Sequence, residues 1–249
     1  ALPISLTFNE GIFIMRKVLG CLKKADINFN MINEGDVIGV GLSGGKDSIV
    51  LLNALRLYQN FSPVSYTIKA LTLTLGFKDF DITPITEFCK THSIEHIIEE
   101  THIAEVVFNE KKLSNPCGMC SRMKRARLSK LCKKLSINKL ALGHHADDAI
   151  ETMFMSMFYE SRIHTFMPVT YMDRSDITVI RPLVYAFESD IIEAHQRHRL
   201  PIVKSPCPAD KNTKREYIKS LLSDISKDVP HLKERLLHAI ENKEQLEVW

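Results

Sequence analysis

Long apolar runs are missing from this 249-residue sequence, and none approaches the roughly 18 residues that a membrane-spanning helix needs. The first residues also lack the basic region and apolar run that mark a signal peptide. Linkers rich in Gly and Ser, internal repeats and uninterrupted blocks of like charge are absent as well. These absences predict a cytoplasmic protein with no membrane partner.

Acidic residues are missing from one long segment. Residues 111–139 contain ten Lys or Arg and no Asp or Glu, whereas residues 81–110 contain seven acids and one Lys. The net charge of +3 is too small to indicate nucleic-acid binding by itself, but a basic segment of this density is typical of a surface that binds a polyanion. The alternative is an ordinary solvated helix face.

Strand-like and helix-like segments alternate along the chain. Apolar residues make up 45% of the sequence, enough for a buried core, and the length suits one α/β domain with additions. The alternation predicts an α/β fold with a doubly wound parallel sheet that is covered on both faces. Strands are predicted at 36–42, 67–75, 94–99, 139–143 and 177–181, and helices at 9–27, 48–58, 83–92, 121–135, 147–159 and over most of 213–249.

A glycine-containing turn follows the first predicted strand. Residues 43–48 read Ser-Gly-Gly-Lys-Asp-Ser and lead into a helix. Such a turn presents unpaired backbone N–H groups at the positive end of the helix, where an anion such as phosphate can bind. Ser43 and Ser48 add hydroxyl donors, Lys46 adds a positive charge, and Asp47 is expected either to contact Mg²⁺ or to begin the helix.

The turn differs from the common mononucleotide P-loop. Val40 stands where that motif has its first Gly, and Asp47 follows Lys46 where the motif has Ser or Thr. The alternative interpretation is an ordinary tight connection between a strand and a helix.

A second loop occupies the same position after a later strand. Residues 143–152 read Gly-His-His-Ala-Asp-Asp-Ala-Ile-Glu-Thr. Ligands of open α/β sheets bind at the carboxyl ends of the strands, so both loops are expected at one site. Asp147 and Asp148 can hold Mg²⁺ through carboxylate oxygens, and His144 can contact phosphate or substrate. The alternative is a helix N-cap followed by first-turn acids.

Cysteines occur in a pattern that indicates metal or redox chemistry in a cytosolic protein. Cys117 and Cys120 are spaced so that two thiolates can share one metal or cluster, with Gly118 permitting a tight turn between them. Cys207 lies in a proline-rich loop, and three thiolates together can hold an iron–sulfur cluster. A zinc site completed by a histidine and a redox dithiol are the alternatives.

The string at 43–48 resembles the pyrophosphate loop of the PP-loop ATPases, Ser-Gly-Gly-x-Asp-Ser. The resemblance implies that ATP is cleaved between its α and β phosphates and that AMP is transferred to a substrate oxygen. It implies catalytic roles for Lys46, Asp47 and Asp147, and magnesium ligation by Asp47 and Asp148. The implied ATP-binding residues are Gly41, Leu42, Ser43, Gly44, Gly45, Lys46, Asp47, Ser48, Gly143, His144, Asp147 and Asp148.

Over nearly its whole length the chain resembles the tRNA 2-thiocytidine synthetase family, TtcA. Besides the two loops, the resemblance rests on Cys117-x-x-Cys120-Ser121-Arg122, Met157-Phe158-Tyr159 and Val179-Ile180-Arg181-Pro182-Leu183. It implies an ATP-dependent tRNA sulfurtransferase. Such an enzyme would adenylate the 2-carbonyl oxygen of a cytidine in the anticodon loop and then replace this oxygen with sulfur, releasing AMP.

The same resemblance implies a [4Fe–4S] cluster held by Cys117, Cys120 and Cys207, in addition to ATP and Mg²⁺. It implies tRNA and a sulfur donor such as a cysteine desulfurase as partners, and it is compatible with a homodimer. The tRNA contacts are expected from the basic segment, at Arg122, Lys124, Arg125 and Arg127. The implied organisation is an N-terminal helical segment (1–30), an ATP-binding domain (31–205) and a C-terminal helical segment (206–249).

Three other functions share some of these features. A related 2-thiouridine synthetase would use the same loops and cysteines on another base. A PP-loop amide-forming ligase of the tRNA-isoleucine lysidine synthetase type has a similar acidic loop but needs no cluster. A nucleotide-binding sensor would use its cluster to regulate rather than to catalyse.

Overall fold

One mixed sheet forms the centre of the protein, seen in a computed structural model that describes residues 15–77, 80–110, 116–204, 206–207 and 213–242. Within these residues the strands are β1 (Asp36–Leu42), β2 (Tyr66–Thr74), β3 (Glu95–Glu100), β4 (Lys139–Ala141), β5 (Val169–Met172) and β6 (Ile177–Ile180). Their order across the sheet is β3-β2-β1-β4-β6-β5.

Helices connect and cover the strands. The longer helices are α1 (Arg16–Phe29), α2 (Lys46–Tyr58), α3 (Thr83–Thr91), α5 (Pro116–Lys134), α6 (Ala146–Glu160), α7 (Glu188–His198), α8 (Lys214–Asp228) and α9 (Leu232–Glu241). A short helix, α4 (Ile103–Glu105), runs directly into a π-helical turn (Val106–Glu110). In the described part of the chain, no helix combines the length and the apolar character that crossing a membrane requires.

The direction of winding reverses at the centre of the sheet. β1 pairs in parallel with β2 on one side and with β4 on the other. The chain first moves outward from β1 to β2 and β3, and then returns to β4 and continues to β6. The gap beyond the carboxyl ends of β1 and β4 is therefore the switch point at which open α/β sheets bind their ligands.

Two apolar cores cover the two faces of the sheet. Neighbouring residues of a strand point to opposite faces, and Ala70 and Leu71 of β2 belong to different cores. The core that contains Leu71 also contains Leu131 and Cys132 of α5. The larger core includes α1, α2 and α7 as well as Ile218, Leu222 and Leu237 of the C-terminal helices.

The predicted α/β fold is confirmed, but the sheet is not entirely parallel. β5 runs antiparallel to β6 at the edge of the sheet and was not predicted, because its four residues mix polar and apolar types and are only partly buried. The helix α7 was also missed, since three of its first four residues are polar. The predicted C-terminal helix is two helices, separated at a residue with positive φ, His231.

A second correction concerns the Cys-x-x-Cys segment. The predicted helix was expected to begin at Ser121, after a tight turn at Gly118, but α5 begins at Pro116. Proline is favoured in the first turn of a helix because the missing N–H group has no partner there in any case. Cys117 and Cys120 are consequently one helical turn apart on α5. Of the helix predicted at 9–27, residues 9–14 lie outside the described residues, as do 243–249 of the predicted tail.

Candidate functional site

The glycine turn connects β1 to α2 and is held in a conformation that requires glycine. Gly44 has a φ of +88°, and its carbonyl accepts a hydrogen bond of 2.9 Å from the backbone N–H of Val203. A Cβ at Gly44 would lie 3.2 Å from side-chain atoms of both Phe80 and Val203. The turn is therefore packed tightly on its outer side, and its backbone N–H groups lie at the positive end of α2.

The two serines of the turn have different environments. Ser48 is buried, and its hydroxyl donates to the carbonyl of Gly45 (2.9 Å) while accepting from the N–H of Ser43 (3.2 Å). These bonds fix the shape of the turn from within. Ser43 is exposed, so its hydroxyl is accessible to a ligand in solution.

The second loop contacts the first one through Gly143. A Cβ at Gly143 would lie 3.0 Å from the carbonyl carbon and oxygen of Asp47 and 3.1 Å from the backbone nitrogen of Ser48. A side chain at this position would thus push against backbone rather than against a movable side chain. The glycine allows the loops that follow β4 and β1 to touch at the switch point, as the sequence predicted.

His145, which the sequence did not single out, lies among the three predicted acids. Its Nε2 is 3.8 Å from Oδ1 of Asp47 and 3.4 Å from Oδ2 of Asp148, and its Nδ1 is 3.6 Å from Oδ2 of Asp147. The side chain is buried. The imidazole of His145 therefore lies between the carboxylates of the two loops.

Asp147 and Asp148 already have partners on both carboxylate oxygens. Asp147 is buried, and it accepts hydrogen bonds from the backbone N–H of Glu188 (2.7 Å) and from Nζ of Lys233 (2.5 Å). Asp148 accepts from Arg215 (2.8 Å) and from the backbone N–H of His145 (3.1 Å). These acids therefore hold the loop, α7 and the C-terminal helices together.

Asp47 differs from these two acids. Its Oδ1 is buried and receives no hydrogen bond from the described residues, although Nζ of Lys46 lies 3.1 Å away. Carboxylate oxygens are ligands that Mg²⁺ prefers. Among the predicted magnesium ligands, Asp47 thus has a buried oxygen with ionic contacts to Lys46 and His145, whereas both oxygens of Asp148 accept hydrogen bonds.

Lys46 is held by an acid from a distant part of the sequence. Its Nζ lies 2.9 Å from Oε1 of Glu188, and Lys219 of α8 contacts both oxygens of Glu188 at 2.9 and 2.7 Å. Burial alone would lower the pKa of Lys46, but Asp47 and Glu188 raise it above its ordinary value. Burial would raise the pKa of Glu188, but the two lysines lower it to about 2. Both groups are therefore ionised at neutral pH.

Four residues of this network were missed by the sequence analysis: Arg215, Lys219, Lys233 and Glu188. They lie far from both loops along the chain and follow no local motif. A charged residue in a predicted amphipathic helix is most often solvated, so its spacing alone does not indicate a buried partner.

His144 lies on the other side of the second loop, against an aromatic ring. The ring centroids of His144 and Phe166 are 5.0 Å apart, and the guanidinium carbon of Arg181 lies 4.9 Å from the Phe166 centroid. Burial lowers the pKa of His144 to about 4; Asp148 opposes this shift, whereas Arg181, Arg215 and Arg125 add to it. The imidazole is therefore neutral at pH 7, and its buried Nδ1 has no hydrogen-bond partner among the described residues.

The predicted cluster ligands lie near one another. Burial raises the pKa of Cys120; Lys124 opposes the shift, and the thiols of Cys207 and Cys117 add to it, so the three thiols are close enough to interact electrostatically. In the described ranges, no group of three His, Cys, Asp or Glu side chains is arranged around a single metal ion. The thiolates of a [4Fe–4S] cluster bind different iron atoms, so they need not converge on one point.

The basic side chains of α5 do not form one uniform face. Arg127 forms an ion pair with Glu99 of β3, and Lys124 lies beside Cys120. Arg122 and Arg125 are exposed. Arg125 is close enough to the second loop to act electrostatically on His144, and it also acts on Arg181. Of the four predicted tRNA contacts, Arg125 is therefore placed beside the site, whereas Arg127 is engaged elsewhere.

Comparison with known proteins agrees with this geometry. A family profile described as the PP-loop domain matches residues 16–225. The chain belongs to the PP-loop family. The match includes residues 43–48, which resemble the pyrophosphate loop of the family, and the acidic loop at residues 143–148.

The relatives of this PP-loop chain are similar over most of its length. A tRNA-cytidine(32) 2-sulfurtransferase of Geobacter sulfurreducens is 35% identical over 230 residues, covering 91% of this chain and 90% of that relative. The protein of the same name from Geotalea uraniireducens is 37% identical over 224 residues, covering 88% of each chain. These relatives confirm the predicted resemblance to the tRNA 2-thiocytidine synthetases.

Among solved structures, the PP-loop fold matches the U34-tRNA thiolase NcsA from Methanococcus maripaludis, determined with its [4Fe–4S] cluster. The TM-score is 0.77 at 22% identity, and the match covers 94% of this chain and 80% of that chain. The likeness confirms the fold.

Proposed function

We propose that this chain is an ATP-dependent tRNA sulfurtransferase that thiolates C2 of a cytidine. In the first step the 2-carbonyl oxygen of the base attacks the α-phosphorus of ATP, the bond between the α-phosphorus and the bridging oxygen breaks, and pyrophosphate leaves. In the second step a sulfur nucleophile attacks C2, the C2–O bond breaks, and AMP leaves with the former carbonyl oxygen. The family membership and the named relatives support this assignment.

One observation carries the first step: the contact between the loops at Gly143 brings together a helix N-terminus, Lys46 and a buried oxygen of Asp47 at the carboxyl ends of β1 and β4. Backbone N–H groups and Lys46 would neutralise the charge that develops on the departing pyrophosphate. Asp47 would hold Mg²⁺, which supplies Lewis-acid stabilisation of phosphate oxygens when it is bound. We also assign Asp147 to the reaction centre, because its contacts with Glu188 and Lys233 fix the second loop.

The second step depends on the cysteines. Cys117 and Cys120, with Cys207 beside them, would hold a [4Fe–4S] cluster, which supplies a site for the sulfur that is transferred when the cluster is bound. The segment that leads to Cys207 is hydrogen-bonded to Gly44 through Val203, so the sulfur site borders the ATP site. This proximity suits a reaction in which the adenylated base reacts with sulfur at the same site where it was adenylated.

The tRNA would approach over the exposed part of α5. Arg125 is close to the second loop and has the charge to contact a phosphate of the anticodon loop. A cysteine desulfurase as sulfur donor, a homodimeric assembly and cytoplasmic localisation remain predictions. A lysidine-type ligase is the second candidate, and the cysteines beside the ATP site argue against it, since that reaction needs no cluster.

The test is product analysis with a loop variant. Wild-type protein, reconstituted anaerobically and supplied with ATP, Mg²⁺, sulfide and unmodified tRNA, should form AMP, pyrophosphate and 2-thiocytidine in equal amounts. Asp47→Asn keeps the size of the side chain but removes its charge, and it should reduce AMP formation by at least about 100-fold. Asp224→Asn, at an exposed position of α8, is the matched control and should retain full activity.

The alternatives predict different products. Thiolated uridine in place of thiolated cytidine would indicate the related 2-thiouridine synthetases. AMP formation that depends on lysine instead of sulfide would indicate the ligase. A wild-type protein that binds ATP and tRNA but forms no AMP would overturn the enzymatic proposal in favour of a sensor.

A further inference from the structure

We propose that Lys219 of α8 is a positioning residue that keeps Lys46 available to the phosphates of ATP by sharing the carboxylate of Glu188. The inference rests on the proposed function, because it assigns a role in ATP use. Neither lysine–carboxylate contact follows from the PP-loop motif, since Glu188 and Lys219 lie on α7 and α8, remote from both loops in sequence.

The geometry places one carboxylate between two ammonium groups. Oε1 of Glu188 lies 2.9 Å from Nζ of Lys46 and 2.9 Å from Nζ of Lys219, and Oε2 lies 2.7 Å from Nζ of Lys219. The Glu188 side chain is only 16% exposed. Its backbone N–H donates to Asp147, so the start of α7 is fixed against the second loop.

The charges explain why two lysines are needed. Without Lys219, Glu188 and Lys46 would form a neutral pair, and movement of Lys46 toward phosphate would leave a mostly buried carboxylate unpaired. An uncompensated buried charge is strongly unfavourable. With Lys219 in contact with both carboxylate oxygens, Glu188 stays paired when Lys46 leaves. With Asp47, whose Oδ1 lies 3.1 Å from Nζ of Lys46, the two lysines and two carboxylates sum to zero. Without Lys219 the same cluster would carry a net charge of −1, which repels a polyphosphate.

The helix that carries Lys219, α8, is anchored to α6. α8 packs against α6, and Arg215, one helical turn before Lys219, forms ion pairs with Asp148 and Glu151 of α6. The backbone of Lys219 is therefore part of an anchored helix, and its ammonium is held by both carboxylate oxygens of Glu188. Pre-organised charge of this kind loses little entropy when the ligand binds.

The experiment is a double-mutant cycle measured by ATP kinetics. Lys219→Met keeps much of the aliphatic chain and removes the charge, and it should raise KM for ATP about 10-fold with kcat changed less than about threefold. Lys219→Arg should restore most of the affinity. Glu188→Gln in the Lys219→Met background should also recover it, because the amide no longer retains Lys46, so the two substitutions should be strongly non-additive.

The controls separate this role from a structural one. Lys227→Met, farther along α8 in an exposed ion pair with Asp224, should leave KM unchanged. A Lys219→Met variant that folds normally and keeps the wild-type KM would overturn the proposal. The proposal would also be overturned if KM of the Lys219→Met, Glu188→Gln double variant rose by the product of the increases in the two single variants. Failure of the wild-type protein itself to form AMP would instead contradict the proposed function.

Discussion

The backbone N–H of Val203 donates a hydrogen bond of 2.9 Å to the carbonyl of Gly44, which joins the pyrophosphate loop to the segment that leads to Cys207. The bond crosses from the part of the site that would bind ATP to the part that would deliver sulfur. It uses only backbone atoms, and its acceptor belongs to a residue with positive φ, Gly44. Changes at this glycine should therefore affect both parts of the reaction.

Gly44→Ala should abolish ATP-dependent activity. The substitution incurs the left-handed backbone penalty, on the order of 1 kcal/mol, and also places a Cβ within 3.2 Å of Phe80 and Val203. Gly35→Ala is the matched control, because Gly35 also has a positive φ but a Cβ there meets no atom within 4 Å. Thermal unfolding and AMP formation should be measured for both. Equal defects in the two variants would show that crowding at Gly44 has no effect.

Cys207→Ala should remove most of the iron from protein purified without oxygen. Cys207 would be one of three thiolate ligands, and two remaining thiolates on one helical turn hold a cluster poorly. Iron and sulfide analysis provides the measurement. Cys21→Ala, in α1, is the control and should leave the iron content unchanged. An unaltered iron content in the Cys207 variant would exclude the three-cysteine site.

Arg125→Glu should weaken tRNA binding more than Arg127→Glu. Arg125 is exposed beside the second loop, whereas Arg127 is already paired with Glu99. The slope of log K for tRNA binding against log[salt] should become shallower by about one unit in Arg125→Ala, as expected for one lost phosphate contact. Filter binding across a salt series measures both effects. Identical losses for the two arginines would favour a diffuse basic surface without a preferred contact.

Glu151 should contribute stability that is lost as the pH rises from about 5 to about 7. Burial raises the pKa of Glu151 from 4.5 to about 7; Arg215 opposes the shift and Asp148 adds to it. In this window the folded chain retains a proton that the unfolded chain has lost, so the free energy of unfolding decreases with pH. Glu151→Gln should remove this contribution, on the order of 1–3 kcal/mol.

Chemical denaturation at pH 5 and pH 8 tests the Glu151 prediction. Glu151→Gln should be more stable than the wild type at pH 8, and the difference should shrink at pH 5. Glu193→Gln, a partly exposed position on α7, provides the control and should show no such dependence on pH. A constant difference between Glu151→Gln and the wild type at both pH values would contradict the assignment.

The loops were predictable because each follows a buried strand and has a sequence with a direct chemical meaning. A glycine turn at a helix N-terminus is a common anion site, and Asp147 and Asp148 indicate an acidic loop. The sheet order then brings the two loops together, since β1 and β4 are neighbours. Local pattern and topology agreed at this point, so the two loops meet where the sequence predicted them.

The ion pairs around Glu188 and Asp147 were not predictable, because no local sequence pattern marks their members. Glu188, Lys219 and Lys233 become site residues only through the packing of α7, α8 and α9, and nothing in their local sequence distinguishes them from solvated charges. The antiparallel β5 was missed because an edge strand buries too little apolar surface to show strict alternation. These features depend on tertiary contacts, which a single sequence does not display.

The contact between Lys233 and Asp147 has a consequence for biosynthesis. The ribosome makes the pyrophosphate loop early, but Asp147 does not receive Lys233 until α9 has emerged and packed against α6. A nascent chain that has completed the sheet therefore still lacks the lysine that pairs with Asp147 in its second loop. A chain that ends before α9 would leave the buried Oδ1 of Asp147 without its lysine, so it should bind ATP less well than the full chain.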